Sequence, residues 1–170
     1  DANTVGDRNV AVGADALGAM NPSSNTDMYN TAVGYHAGLA VTTGTENTLI
    51  GGEAGDAITT SNANVALGRL ALSAETTSNG NTAIGAEALR NQNVGGSGDA
   101  RNTAVGLLAG ANVSTGTLNV AVGALALQNN TTASNSTAVG YQAGYSNTTG
   151  AALTAIGQNA LRSSTTASNN

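Results

Sequence analysis

The chain has 170 residues, with no Phe, Trp, Cys or Lys, five Arg and a net charge of −5. Five scattered cations exclude a basic nucleic-acid face, the absence of Cys excludes disulfide stapling, and no apolar run approaches the length of a membrane-spanning helix. Charged residues are only 9%, so charge repulsion does not impose disorder, and without Phe or Trp any core must be thin, with backbones lying close together.

Residues 1–8, DANTVGDR, have the length of a linker. At residue 9 a nine-residue core begins, NVAVGADAL, and near copies start at 30, 47, 64, 81, 102, 119, 136 and 153. The fifth residue of each copy is glycine: Gly13, Gly34, Gly51, Gly68, Gly85, Gly106, Gly123, Gly140 and Gly157. The successive differences in number are 21, 17, 17, 17, 21, 17, 17 and 17, so a seventeen-residue unit repeats and a four-residue insertion returns every fourth unit. The eighth residue is always alanine: Ala16, Ala37, Ala54, Ala71, Ala88, Ala109, Ala126, Ala143 and Ala160. The first is Asn in Asn9, Asn30, Asn47, Asn64, Asn81, Asn102 and Asn119, with Ser136 and Leu153 as exceptions. The second is Thr or Val, the third Ala except at Leu49, the fourth Val, Ile or Leu, and the ninth Leu or Gly. Core positions run from one to nine, and the eight-residue linkers continue as positions ten to seventeen.

An internal repeat of this length points to a stacked architecture. Asn, Gly, Thr and Ser disfavour helix, and no 3.6-residue apolar stripe is present. Each core reads as a short strand, a turn at the glycine and a second short strand, with turn chemistry in the linkers. The expected fold is all-β: a parallel β-solenoid of nine 17-residue coils over residues 1–170, stacked about 4.8 Å apart. Positions two and four share one strand face, bulky and apolar; positions three and five share the other, small and apolar. A thin roll can bury only one of them, so the other requires a sister chain, and three chains are expected. The Asn column predicts an amide ladder between coils. The chain starts and stops inside the periodic pattern, which predicts a window from a longer fibre, or a subunit whose ends meet other subunits.

NVAVGADAL, NTAVGYHAG, NTAIGAEAL and STAVGYQAG resemble the head repeats of trimeric autotransporter adhesins, and the similar repeats of phage tail fibres and bacterial surface fibres. The resemblance covers nearly the whole chain. It implies a left-handed parallel β-roll, an intertwined trimer and a place outside the cell, on a virion tail or a cell surface. The 17-residue unit is somewhat longer than those of the adhesin heads, and the regular insertion is not part of their pattern.

The candidate sites are few. His36 is the only histidine and shares position seven with acids and leucines, which suggests a solvated place; with one His and no Cys or Lys, the usual nucleophile–base pairs lack parts. No enzyme, cofactor or metal is therefore expected. Asp15, Glu53 and Glu87 at position seven, and Asp7, Asp27, Asp56 and Asp99 in linkers, match no calcium-loop pattern. Thr42-Thr43, Thr59-Thr60, Thr76-Thr77, Thr131-Thr132, Thr148-Thr149 and Thr165-Thr166 share one phase, matched by Ser114-Thr115; they resemble the Thr arrays of ice-binding solenoids, yet neighbouring residues point opposite ways, so one column at most faces outward. Asn112, Asn129, Asn130, Asn135 and Asn147 begin N-glycosylation patterns. The long linkers, 18–29 and 90–101, are the expected contact loops, with Met20, Met28, Tyr29, Arg90 and Arg101 as contact residues. The function expected from all this is a stiff structural fibre segment that displays loops for attachment to a receptor or glycan. The alternatives are a self-assembling filament subunit and an ice- or glycan-binding solenoid.

Overall fold

A computed structural model describes residues 6–96 and 98–170. It contains eleven short strands and no helix among them: β1 (Gly6–Asp7), β2 (Val10–Val12), β3 (Thr26–Asp27), β4 (Thr31–Val33), β5 (Thr48–Ile50), β6 (Val65–Leu67), β7 (Thr82–Ile84), β8 (Thr103–Val105), β9 (Val120–Val122), β10 (Thr137–Val139) and β11 (Thr154–Ile156). All but β1 and β3 form one nine-stranded sheet in coil order, and every pair in it is parallel. The chain is thus a parallel β-solenoid of nine coils, roughly 40 Å long at the usual strand spacing.

The register follows the repeat. Thr31, Ala32 and Val33 face Thr48, Leu49 and Ile50, the same core positions one ordinary unit later. Across the second insertion Thr82, Ala83 and Ile84 face Thr103, Ala104 and Val105, again the same core positions, so the extra residues leave the sheet undisturbed. They are absorbed at a corner. Residues 26–27 return to pair in parallel with residues 6–7, and Asp99 bridges Asn79 at the same phase.

β-branched residues at positions two and four favour the extended strand. The second strand expected after the glycine does not form. Positions seven, nine and seventeen are left-handed: His36 and Glu53 have φ of 55° and 58°, Leu72 and Leu89 55° and 49°, Glu46 and Ala63 61° and 56°. Left-handed residues reverse the chain. The segment from the glycine onward is a pair of hydrogen-bonded turns instead, in which the Ala37 N–H donates to the Gly34 carbonyl and the Val41 N–H to the Gly38 carbonyl, at 3.4 and 3.0 Å. Each turn is held by the coil beside it, as when the Glu53 N–H donates to the Tyr35 carbonyl at 2.8 Å and the Gly38 N–H to the Ala54 carbonyl at 3.0 Å.

Of the two apolar faces, the small one points inward. The alanines at positions three and eight are buried in nearly every coil, together with the leucines at position nine. The exceptions to the repeat are matched to one another. Leu49 replaces an interior Ala, and position nine is Gly in the coils on either side of its side chain; a Cβ there would lie 2.7 Å from Leu49 at Gly38 and 2.7 Å at Gly55. Gly144 stands in the same relation to Leu153, at 2.8 Å. Position twelve co-varies with position nine: Gly38, Gly55 and Gly110 accompany Val41, Ile58 and Val113, whereas Leu72, Leu89 and Leu127 accompany Glu75, Gln92 and Asn130. In these six coils an apolar β-branched residue fills the space left by a position-nine Gly, whereas Leu at position nine goes with a buried polar residue at position twelve; Leu17 with Met20, at the first insertion, and Gly144 with Asn147 depart from the pairing.

Candidate functional surfaces

The outer face of the sheet carries positions two and four. Its aliphatic column runs Val12, Val33, Ile50, Leu67, Ile84, Val105, Val122, Val139 and Ile156; Val33, Ile50, Ile84, Val105 and Val122 are half-buried, and Val12, Leu67, Val139 and Ile156 are exposed, most of all in the two end coils. Thr or Val at position two runs beside it, half-buried in mid-stack.

The asparagine column lies inside. Asn30, Asn47, Asn64, Asn81, Asn102 and Asn119 are buried, and each side chain bonds mainly to backbone. The Asn64 carbonyl oxygen Oδ1 accepts the Asn81 backbone N–H at 2.9 Å, and the same step recurs from Asn9 to Ser136. Side-chain-to-side-chain rungs join only Asn30 to Asn47, Asn47 to Asn64 and Asn64 to Asn81. Backbone carbonyls such as Gly44 and Gly116 accept the remaining amide protons.

Position twelve holds a feature that composition did not reveal. Glu75 is fully buried. Its Oε1 accepts the backbone N–H groups of Thr76, Thr77 and Ser78 at 2.8, 2.9 and 2.7 Å. Its Oε2 accepts the Ser78 hydroxyl and the Gln92 amide at 3.2 Å, and Gln92 in turn accepts from Asn102 at 3.2 Å. No cation among the described residues takes part; five donors solvate the carboxylate in place of water. The signal in the sequence was the phase of Glu75 and Gln92 with Val41 and Ile58.

The threonine pairs divide their roles. In five pairs the first hydroxyl donates to a carbonyl of the neighbouring coil: Thr42 to Thr59, Thr59 to Thr76, Ser114 to Thr131, Thr131 to Thr148 and Thr148 to Thr165, at 2.9–3.2 Å; Thr76 donates to the Asn93 side chain instead, at 3.3 Å. The second members Thr43, Thr60, Thr115, Thr132, Thr149 and Thr166 are exposed. Thr77 is half-buried and donates to the Gly96 carbonyl at 2.7 Å. The outward hydroxyls therefore form one column, interrupted at the insertion, and not a two-dimensional array.

The insertion residues fall into two groups. Met20 and Met28, expected as contact residues, are buried in the core; at the widened corner their long flexible side chains fill the extra volume. Tyr29 and Arg101 are exposed, and both sit immediately before the next core, the place that position seventeen holds in the shorter units. Arg8 lies 3.0 Å from Asp27 and with its guanidinium 5.4 Å from the Tyr29 ring centre; Arg101 pairs with Asp99. Arg90 is half-buried against Glu87. Of the glycosylation patterns, Asn130 and Asn147 are buried and Asn135 is exposed.

His36 is stacked on Tyr35, ring centres 3.7 Å apart, with Nε2 3.5 Å from Asp15 in the coil before it and Glu53 at the same position in the coil after it. Asp56 nearby is half-buried, one carboxylate oxygen enclosed without a hydrogen-bond partner. Burial raises its carboxyl above the usual range, and Glu53 adds to the rise. Among the described residues no group of three or more His, Cys, Asp or Glu is placed to hold a metal ion.

No family model, curated protein or solved structure matches this chain at a significant level.

Proposed function

We propose that the chain is a structural rod: a non-enzymatic segment of an extracellular fibre, on a phage tail or a bacterial surface, built from sister chains that cover one another's aliphatic face. The observation that carries this reading is the unbroken outward column of Val, Ile and Leu at position four in all nine coils. Isolated exposed aliphatics are ordinary on a protein surface, whereas a continuous apolar patch marks an interaction site. Three chains are the number that the resemblance to adhesin heads and tail fibres implies. Stiffness follows from the coil-to-coil bonding of the Asn, Thr and backbone ladders, and the insertions display Tyr29 and Arg101 at corners four coils apart, about 19 Å along the rod. Receptor or glycan contact at those corners is the attachment half of the proposal.

Analytical ultracentrifugation with small-angle scattering tests the rod. The expected result is a mass of three chains with an elongated profile. A stable monomer at micromolar concentration, with the aliphatic face in water, would remove the proposal.

A further inference from the structure

All the acidic residues lie within residues 1–99, and residues 102–170 hold no Asp or Glu and a single Arg. That one is Arg162, exposed at position ten of the ninth coil. Among the described residues each of the other arginines has a carboxylate partner: Arg8 has Asp27, Arg69 and Arg90 share Glu87, and Arg101 has Asp99. Arg162 has none. Its Nε donates to the Gln142 side-chain oxygen Oε1 at 2.9 Å, and its guanidinium carbon lies 5.4 Å from the Tyr145 ring centre. Those two contacts hold the group in place and leave the donors on Nη1 and Nη2 uncommitted. The chain contains its own comparison. Arg90 occupies the same position ten, four coils earlier, and pairs with Glu87 at position seven of its coil. In the ninth coil position seven is Asn159, left-handed as Glu87 is, with φ of 58° against 59°. The backbone is the same and the carboxylate is gone.

The geometry points to a binding site at Arg162, Gln142 and Tyr145 for a ligand carboxylate, that of an acidic sugar in a polysaccharide. A guanidinium whose Nε is already engaged presents Nη1 and Nη2 as a two-donor edge, and that edge matches the two oxygens of a carboxylate. The ring of Tyr145 and the oxygen of Gln142 fix its plane in advance, so less freedom is lost when an anion arrives. The local field does not oppose an anion, although the chain as a whole carries −5. The nearest acidic side chains along the stack, Glu87 and Asp99, belong to the fifth coil and its linker, four coils or about 19 Å away. Charges that far apart are screened at physiological salt, where the Debye length is about 8 Å. The same spacing favours a sugar over an acidic peptide. Adjacent acids of a peptide need a second cation, and the nearest, Arg90 and Arg101, are also four coils away. An acidic sugar sets one carboxylate among hydroxyls, and the side chains beside Arg162 in the chain and in the coil before it, Asn159, Ser163 and Ser146, are amides and hydroxyls open at least in part to solvent. All three site residues lie in the turns after the glycine and within one chain. The site is therefore separate from the corners at Tyr29 and Arg101 and does not depend on association between copies.

Immobilised oligogalacturonate, a chain of carboxylated sugars, is the probe, with its methyl ester and polyglutamate beside it. Binding of the full chain is read by surface plasmon resonance at low salt. The parent is expected to bind oligogalacturonate more tightly than polyglutamate, and to bind the methyl ester roughly tenfold more weakly or not at all. Arg162→Gln should weaken binding to oligogalacturonate by a similar factor. Asn159→Glu should do the same while leaving the arginine in place, because it supplies the internal carboxylate that Glu87 supplies to Arg90. Arg69→Gln removes the same charge at an arginine already paired and should leave binding unchanged. All three substitutions fall at exposed positions, and Glu87 shows that this backbone accepts Glu at position seven, so denaturation midpoints near that of the parent are expected. No binding by the parent, or undiminished binding by Arg162→Gln or Asn159→Glu, would overturn the site. Equal or tighter binding of polyglutamate would overturn the assignment to a sugar.

Discussion

Replacing Gly68 by alanine tests the central packing of the stack. Its φ is +137°, and a Cβ built there would lie 2.5 Å from the Gly85 carbonyl oxygen, 2.6 Å from its carbon and 2.9 Å from the Ala86 nitrogen. Two costs arise together. The backbone region is strained for any residue with a side chain, by about 1–3 kcal/mol. The neighbouring coil must also move, at about 1–3 kcal/mol for an overpacked site, and it cannot move freely because its own glycine meets the next coil in the same way. The expected loss is about 3–5 kcal/mol. Gly52, one residue after the glycine of its own coil, is the control: it has an ordinary φ and open space around its Cβ position, so Gly52→Ala should be neutral or slightly stabilising, by up to about 1 kcal/mol through the unfolded chain. In urea, with a slope of about 2 kcal/mol/M, the two variants should differ in midpoint by roughly 1.5–3 M at equal protein concentration. Equal midpoints, or a Gly68→Ala variant within about 1 kcal/mol of the parent on that slope, would refute the close-approach argument.

Other outcomes follow from single contacts. Glu75→Ala should cost about 3–6 kcal/mol in chemical denaturation, since it strips buried partners from three backbone N–H groups, a hydroxyl and an amide; Glu75→Gln should recover part of that, because it keeps an acceptor oxygen. Leu49→Ala should cost about 2–5 kcal/mol by opening a cavity between Gly38 and Gly55, whereas Gly44→Ala should cost much less than its tight Cβ contact suggests, because Ser61 and Ala133 occupy the same position in other coils. Asp56→Asn should raise the denaturation midpoint at pH 7 and lose that advantage in acid. The folded carboxyl is raised above its ordinary value of 3.8 by burial, so the ionised form weakens the fold as pH climbs from that value through the folded one, and below 3.8 both states hold the proton. A midpoint gain that persists at pH 3 would contradict this assignment.

Much of the architecture was legible in the letters. Seventeen-residue spacing set the coil and its register, because every coil must bring the same residue to the same height, and the two longer steps located the corners. The constant Gly and Ala were readable as tight places, though not the reason: Gly68 is fixed both by its φ and by the carbonyl of Gly85, and only the second coil reveals the second constraint. The turn after the glycine looks like a strand in the sequence because His36, Leu72 and Glu46 carry nothing that marks a left-handed residue. Their φ is enforced by hydrogen bonds from adjacent coils, which no local propensity records.

Sequence by itself therefore determined the period, the stacking and the paired apolar faces. Tertiary structure decided which face turns inward. The strand must curl around a narrow interior that takes Ala at positions three and eight with larger apolar side chains mainly at positions nine and twelve, so the bulkier Val, Ile and Leu of positions two and four are left outside. The same confined volume buried Met20 and Met28, matched Leu49 to two glycines, and enclosed Glu75 among five donors, choices that depend on residues a full coil away and not on their neighbours in the chain.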